Sequence, residues 1–145
     1  MKRSKRMQLV LDLAKRDEEA AAEDYEHAKR ELQAEADQLN QTTRYYQEYA
    51  SSSGVKGSQV NISALEHSRH FLQRLSEIIE LLKQQVALKE GVVQQKKDVW
   101  YKCHLRAKSL SDLIDRYKKE EEIEYDKKEQ KMIDDWVNQT YSRDE

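Results

Sequence analysis

Apolar residues recur at alternating steps of three and four along most of the chain. A 3.5-residue period of this kind keeps one apolar stripe, here called the seam, against a partner helix over many turns, as in a coiled coil. The first half of the seam is Leu11, Ala14, Glu18, Ala21, Tyr25, Ala28, Leu32, Glu35, Leu39, Thr42, Tyr46 and Tyr49. The second half is Leu65, Ser68, Leu72, Leu75, Ile79, Leu82, Val86, Lys89, Val93, Lys96, Trp100, Cys103, Ala107, Leu110, Ile114 and Tyr117.

One break separates the two halves. Residues 51–59 read Ser-Ser-Ser-Gly-Val-Lys-Gly-Ser-Gln and hold two of the three glycines of the chain. Because clusters of glycine and serine are typical of loops, the sequence predicts one helix over about residues 3–50, a loop over 51–60 and a second helix over about 61–139. Ser63, with Glu66 three residues later, is the predicted N-cap of the second helix, and Asn61 is an alternative.

The two seams predict how the helices are arranged. A flexible loop reverses the chain, and antiparallel packing lets both seams bury each other. We therefore predict an all-α fold, with residues 1–145 forming a single antiparallel coiled-coil hairpin of two long helices. The second helix is longer and overhangs the first by roughly 30 residues. Beyond Tyr117, steps of four lead through Glu121 to Tyr125, a stutter that locally unwinds a coiled coil. Pairing of helix 1 between two chains is an alternative that the pattern leaves open.

Composition favours helices and narrows the class of partner. The chain has 145 residues, of which 37% are charged, and it contains no proline. Charge this dense leaves too little apolar surface for a thick globular core, so either disorder or elongated helices remain, and the 3.5-residue period favours helices. The net charge is -2 and the two signs alternate along the chain, which argues against nucleic acid as a partner.

Signals for catalysis and for membrane insertion are weak. His67 and His70 lie three residues apart and Cys103 precedes His104, but no third or fourth metal ligand is placed, so exposed histidines are the preferred interpretation. No phosphate-binding loop or nucleophile motif occurs. No run approaches the ~20 apolar residues of a spanning helix. We therefore expect a cytoplasmic protein that is not an enzyme and binds no cofactor or metal ion.

Aromatic residues near the loop form the first candidate binding surface. In an antiparallel hairpin the residues expected to converge there are Tyr45, Tyr49, Phe71, Leu75 and Ile78. Tyr49 and Leu75 fall on the seam and the others fall beside it. Exposed aromatic clusters are typical of protein-binding patches. The alternative is that these side chains only staple the end of the hairpin.

The second candidate surface combines the N-terminus with the overhang. The basic cluster consists of Lys2, Arg3, Lys5 and Arg6. Basic residues at a helix N-terminus oppose the helix dipole, so they are expected to meet an acidic partner rather than to stabilise the helix. An amphipathic helix over residues 2–13 that lies on a membrane is an alternative. An isolated charged helix is marginal in water, so the apolar patch around Met132 and Trp136 predicts a further contact.

Several short motifs follow one another in a specific order. They are Leu9, Leu13 and Ala14 near the start, Tyr45 and Tyr49 before the loop, Phe71, Leu75, Ile78 and Ile79 after it, Trp100, and Glu129-Gln-Lys-x-x-Asp-Asp135 with Trp136. In these motifs and their spacing, nearly the whole chain resembles the FliJ family of the flagellar type III export apparatus. Injectisome stalk proteins of the YscO kind and a generic coiled-coil scaffold are the alternatives.

The resemblance implies a function, partners and sites. It implies a non-enzymatic stalk and chaperone-escort protein, cytoplasmic and peripheral at the inner face of the cell membrane, that couples ATP hydrolysis to protein export. The implied partners are the hexameric ring of the export ATPase FliI, the export gate protein FlhA and export chaperones. The implied gate-binding residues are Gln38, Tyr45, Tyr49, Phe71, Leu75 and Ile78. The implied ring-binding residues are Lys2, Arg3, Lys5, Arg6, Gln130, Met132 and Trp136.

Overall fold

The chain forms two long helices, and the computed structural model describes residues 2–55 and 62–143. Helix α1 spans Arg3–Val55 and helix α2 spans Ile62–Arg143, with no strand in either described range. Abundant alanine, leucine, glutamate, lysine and glutamine favour helix, and without proline nothing removes a backbone donor from either helix. The predicted all-α helical hairpin is confirmed.

The end of α1 differs from the prediction. The sequence assigned residues 51–55 to the loop, but α1 continues to Val55. The hydroxyls of Ser51 and Ser52 donate hydrogen bonds of 3.1 Å to the carbonyls of Glu48 and Tyr49. Serine side chains that bond back to the preceding turn are compatible with helix, which the composition of this segment did not reveal. The rest of the predicted loop, residues 56–60, lies outside the described residues.

Helix α2 spans Ile62–Arg143, against a predicted range of about 61–139. Ile62 is already helical, so Ser63, the predicted N-cap, lies within α2. The alternative cap, Asn61, lies outside the described residues. At the other end α2 reaches Arg143, beyond the predicted 139. Helix boundaries depend on local capping, which the 3.5-residue period does not report.

The helices divide into two compact units, each of which contains part of both helices. The loop unit is Ala21–Trp100. In it, the Tyr25 ring lies 6.3 Å from the Trp100 ring, measured between centroids, and the Tyr49 hydroxyl lies 3.5 Å from the Ser68 hydroxyl. An early residue of α1 therefore contacts a late residue of α2, and a late residue of α1 contacts an early one of α2. The helices of the loop unit are antiparallel.

The terminal unit is Met1–Ala20 with Tyr101–Glu145. Its buried core residues are Leu11, Ala14, Ala107 and Ile114, with Met7 and Leu110 packed against them. The two alanines let the helix backbones approach closely, while the larger side chains fill the space beside them. Near this core, His104 Nδ1 lies 3.1 Å from Glu18 Oε1. The helices of this unit are antiparallel as well.

Burial follows the predicted seam. Every seam residue of α1 is buried or half-buried, and so is every seam residue of α2 except Leu65 and Lys96. Past Glu121, by contrast, every residue from 122 to 143 is exposed. The overhang expected of the second helix is therefore present. No stretch within the described helices is long and apolar enough to cross a membrane.

Candidate protein-binding surfaces

Three aromatic rings of the loop unit pack together, and we call them the aromatic cluster. Phe71 on α2 meets Tyr49 on α1 edge to face, with 4.8 Å between ring centroids, and meets Tyr45 at 6.1 Å with the rings almost perpendicular. The two tyrosines lie 6.5 Å apart. Because they are four residues apart in α1, they share one face, and Phe71 joins that face from the other helix. The convergence that the sequence predicted for these three rings is present.

The aromatic cluster faces solvent on one side. Tyr45 is 50% exposed and Phe71 is 37% exposed, whereas Tyr49 on the seam is half-buried. The Tyr49 hydroxyl meets Ser68 across the helix interface. Edge-to-face packing favours particular ring orientations, so the cluster presents an ordered aromatic surface on its solvent side.

The remaining residues implied for gate binding have different surroundings. Leu75 is buried in the seam at 8% exposure, so it supports the helix pair and offers little surface. Ile78 and Gln38 are exposed, on α2 and α1 respectively. Ile78 lies seven residues after Phe71, two helical turns along the same face.

The basic cluster at the start of α1 is held by a carboxylate from α2. The Ser4 backbone N–H donates to Glu121 Oε1 at 3.1 Å, and the Ser4 hydroxyl donates to Glu121 Oε2 at 2.8 Å. The first amides of a helix have no acceptor within the helix, so Glu121 satisfies one of them and places negative charge at the positive end of the helix dipole. Ser4 is buried although it lies among charged residues.

Electrostatics at this contact favours the charged carboxylate. The two hydrogen bonds from Ser4, followed by the positive charges of Lys2 and Lys118, hold the pKa of Glu121 below its ordinary value of 4.5. In the sequence, Glu121 stands out only as part of the stutter, and Ser4 does not stand out. One signal was available in the sequence. A serine in the first turn of a helix, with four basic neighbours, has a backbone amide and a hydroxyl that need a hydrogen-bond acceptor from another element.

Beside this contact the basic side chains remain open to solvent. Lys2, Arg3, Lys5 and Arg6 are all exposed. The Arg3 guanidinium carbon lies 5.7 Å from the centre of the Tyr117 ring, within cation–π range. A shallow depression brings Lys2, Arg3 and Arg6 beside Glu120, Glu121 and Glu124. The Ser4–Glu121 contact therefore holds the backbone of the basic cluster, while the charged ends of its side chains are accessible to solvent.

The overhang carries an exposed pair of large apolar side chains. Met132 and Trp136 lie four residues apart and are both exposed. Nearby, the Gln130 side-chain amide donates to Asp134 Oδ1 at 3.2 Å. Met132 lies eleven residues beyond Glu121, about 16 Å along the helix. The basic cluster on α1 therefore lies beside Glu121, and the Met132–Trp136 patch lies further along α2.

No metal centre is indicated in the described parts of the chain. His67 and His70 are exposed on α2. Nowhere in residues 2–55 and 62–143 do three or more His, Cys, Asp or Glu side chains come together in a way that could hold a metal ion.

Comparison with known proteins identifies the family. The family model described as flagellar FliJ protein matches residues 3–145, essentially the whole chain. The chain belongs to the FliJ family. Both candidate surfaces, the aromatic cluster and the terminal basic cluster with the overhang, therefore belong to a FliJ-family protein associated with the flagellar export apparatus. No curated protein and no solved structure gives a significant match.

Proposed function

We propose that this FliJ-family protein is a non-enzymatic stalk and chaperone escort of the flagellar export apparatus, which inserts into the export ATPase ring and contacts the export gate. The observation that carries the proposal is the family match over residues 3–145. It favours the flagellar assignment over an injectisome stalk protein. Bound through these partners, the protein acts in the cytoplasm, peripheral to the inner face of the cell membrane.

The aromatic cluster is the proposed gate-binding surface, together with Gln38 and Ile78. Half-exposed aromatic side chains in fixed orientations are typical of the residues that dominate binding energy in protein interfaces. Leu75 has a supporting role in this proposal because it is buried beneath the surface. Support comes from the packing of Phe71 against both tyrosines and from the exposure of the Tyr45 and Phe71 side chains.

The basic cluster and the overhang form the proposed ring-binding surface. The Ser4–Glu121 contact keeps the first turn of α1 folded, so the four basic side chains are held ready for an acidic partner. Met132 and Trp136 supply apolar area, and Gln130 supplies a polar group beside them. An exposed tryptophan beside a methionine is more typical of a binding site than of a solvated helix face.

The ring-binding proposal is tested by co-elution with the cognate export ATPase, with and without ATP, on a size-exclusion column with light scattering. We expect the chain to co-elute with an ATPase hexamer and to promote its assembly. Trp136→Ala should weaken co-elution, whereas Tyr101→Ala, an exposed aromatic residue on the same helix, should leave it unchanged. Indifference of the wild-type chain to the ATPase would refute the proposal.

The gate-binding proposal is tested with the double variant Tyr45→Ala, Phe71→Ala and the soluble domain of the export gate. Affinity should fall at least about tenfold, because two anchors of the surface are removed. Tyr101→Ala serves as the control again, since its exposure resembles that of Tyr45. Far-UV circular dichroism is measured in parallel. Loss of helicity in the double variant would show that the cluster only staples the helices, and an unchanged affinity would remove it from the interface.

A further inference from the structure

A second apolar series runs along α2 inside the loop unit. It lies one residue before the seam positions and keeps the same alternating steps of four and three. Its members are Leu81, Gln85, Leu88, Val92, Gln95 and Val99, and all six are exposed. α2 therefore has two neighbouring stripes with coiled-coil spacing, and α1 covers only the first.

The regular spacing sets this series apart from scattered surface residues. Single exposed apolar residues are ordinary and need no explanation. Four large apolar residues that keep a 3.5-residue period over five helical turns mark a stripe that stays aligned with one partner helix. Leu88, near the middle, is 64% exposed. The pattern is that of a helix that packs against two helices, and the structure shows one of them.

The series matches itself when it is read in reverse about residue 90. Two copies of α2 placed antiparallel, with a two-fold axis near this residue, set each position opposite the one equally far from the axis. The resulting layers are Leu81 with Val99, Gln85 with Gln95, and Leu88 with Val92, and symmetry repeats each of them. Apolar side chains meet apolar ones, and each glutamine amide meets another amide. A shift by one heptad in either direction would place a glutamine against a leucine or a valine.

Gly91 lies on one flank of this series, close to the two-fold axis. It is the residue next to the two-fold axis, and a Cβ added to it would meet nothing within 4 Å. Glycine costs about 1 kcal/mol against alanine in a helix interior, so its presence has to be compensated elsewhere. In an antiparallel pair the two Gly91 residues would face each other across this flank, about two residues apart along the helix, and the absence of side chains there leaves room for the helices to approach, as small residues do at other close helix crossings.

Charges beside the series do not oppose this pairing. Lys89 of each copy would lie near the axis, but its Nζ is bound by Glu31 Oε2 of its own chain at 3.0 Å. The hydrogen bond and the positive charge of Lys89 lower the pKa of Glu31. On the other flank, which carries residues 84, 91 and 98, Gln84 of one copy would lie beside Asp98 of the other. A side-chain amide can donate to a carboxylate there.

We propose that this second series is a self-association surface, on which a second copy of the chain packs α2 against α2 in antiparallel orientation about residue 90. The series spans eighteen residues, about 27 Å of helix. A helix pair of that length buries less than the roughly 1,200 Å² of a stable complex, so the dimer is weak and reversible. The proposal does not rest on the export function and is tested without any other protein.

The first test is sedimentation equilibrium of the full chain from about 10 µM to 1 mM, the range in which a small interface dissociates. The apparent mass should rise from 17.2 kDa toward twice that value. Leu88→Glu should raise the dissociation constant at least about tenfold, because symmetry places the new charge in the interface twice. Leu13→Glu replaces an equally exposed leucine (59% exposed) on α1 and should behave as wild type. A mass of 17.2 kDa at every concentration, or a Leu88→Glu variant that associates as wild type does, would overturn the proposal.

The second test distinguishes orientation and partner. In a Cys103→Ala background, Gly91→Cys places a single thiol near the axis, and Gln84→Cys places one on the same flank two turns away. A short bismaleimide should join two chains through residue 91 and not through residue 84. Cross-linking at both positions would indicate a parallel pair, and cross-linking at neither would show that the stripe serves a different helix; either result contradicts the proposal.

Discussion

Two isoleucines of α2 test whether the seam, rather than apolar character as such, holds the helices together. Ile114 lies on the seam and is 2% exposed, in a core with Leu11, Ala14 and Ala107. Ile123 lies nine residues further along the same helix, past the point where the seam ends, and is 54% exposed. Substitution to alanine removes the same three carbons at both positions, from a buried environment at Ile114 and from an exposed one at Ile123.

The expected magnitudes follow from burial. Ile114→Ala removes three buried carbons, about 0.8 kcal/mol each in transfer free energy, and leaves a cavity that adds to the cost. The free energy of unfolding should therefore fall by about 3 kcal/mol. A loss of this size lowers the Tm of a chain of this length by roughly 6–12 °C. Ile123→Ala should change the free energy of unfolding by less than about 0.5 kcal/mol, as is usual for exposed positions.

The assay is urea denaturation followed by circular dichroism at 222 nm, with thermal melts as a second measurement. Because the chain has two compact units, the transition is also followed by the fluorescence of Trp100, which belongs to the loop unit, in a Trp136→Phe background that removes the second tryptophan. A destabilisation that the two probes report at the same midpoint shows that the units unfold together. Equal effects of the two substitutions, or a larger effect at Ile123, would refute the seam as the source of stability.

Three further predictions concern the capping contact, the glycine and the overhang. Glu121 has a lowered pKa, so its stabilising contact with Ser4 is complete above the ordinary pKa of 4.5 and is lost as the pH falls below that value. The Ser4 amide resonance should therefore shift with a midpoint below 4.5 and should lose this shift in Glu121→Gln but not in Glu120→Gln. Gly91→Ala should raise the free energy of unfolding by about 1 kcal/mol in dilute solution, since the added methyl meets no neighbour; a lower Tm would contradict this. Truncation after residue 123 should leave the urea midpoint unchanged, because residues 124–143 are all exposed, and a large drop would show that the overhang packs on the rest of the unit.

Much of the fold could be predicted from the sequence because the 3.5-residue period identifies a helix and the face it buries. Leu11, Ile79 and Ile114 were placed on the seam by spacing alone, and each is buried. The 3.5-residue period stops near Tyr117, which predicted that the helix beyond this point is not covered. Residues 122–143 are indeed exposed. The resemblance to the FliJ family rested on motif order, and the family match over residues 3–145 agrees with it.

The details of the surfaces could not be predicted, because a period specifies a face and not the partner opposite each residue. Which α2 residue meets Ser4 depends on the axial offset between the helices, and only the tertiary structure shows that it is Glu121. Helix α1 continues through serines that bond back to the preceding turn, although composition assigns this segment to a loop. The second series through Leu88 can be read from the sequence. Its exposure depends on which face of α2 is covered by α1, and only the tertiary structure shows that this is the seam. Sequence alone thus determined which residues can be buried between helices, while the packing of α1 on α2 decided which of them are.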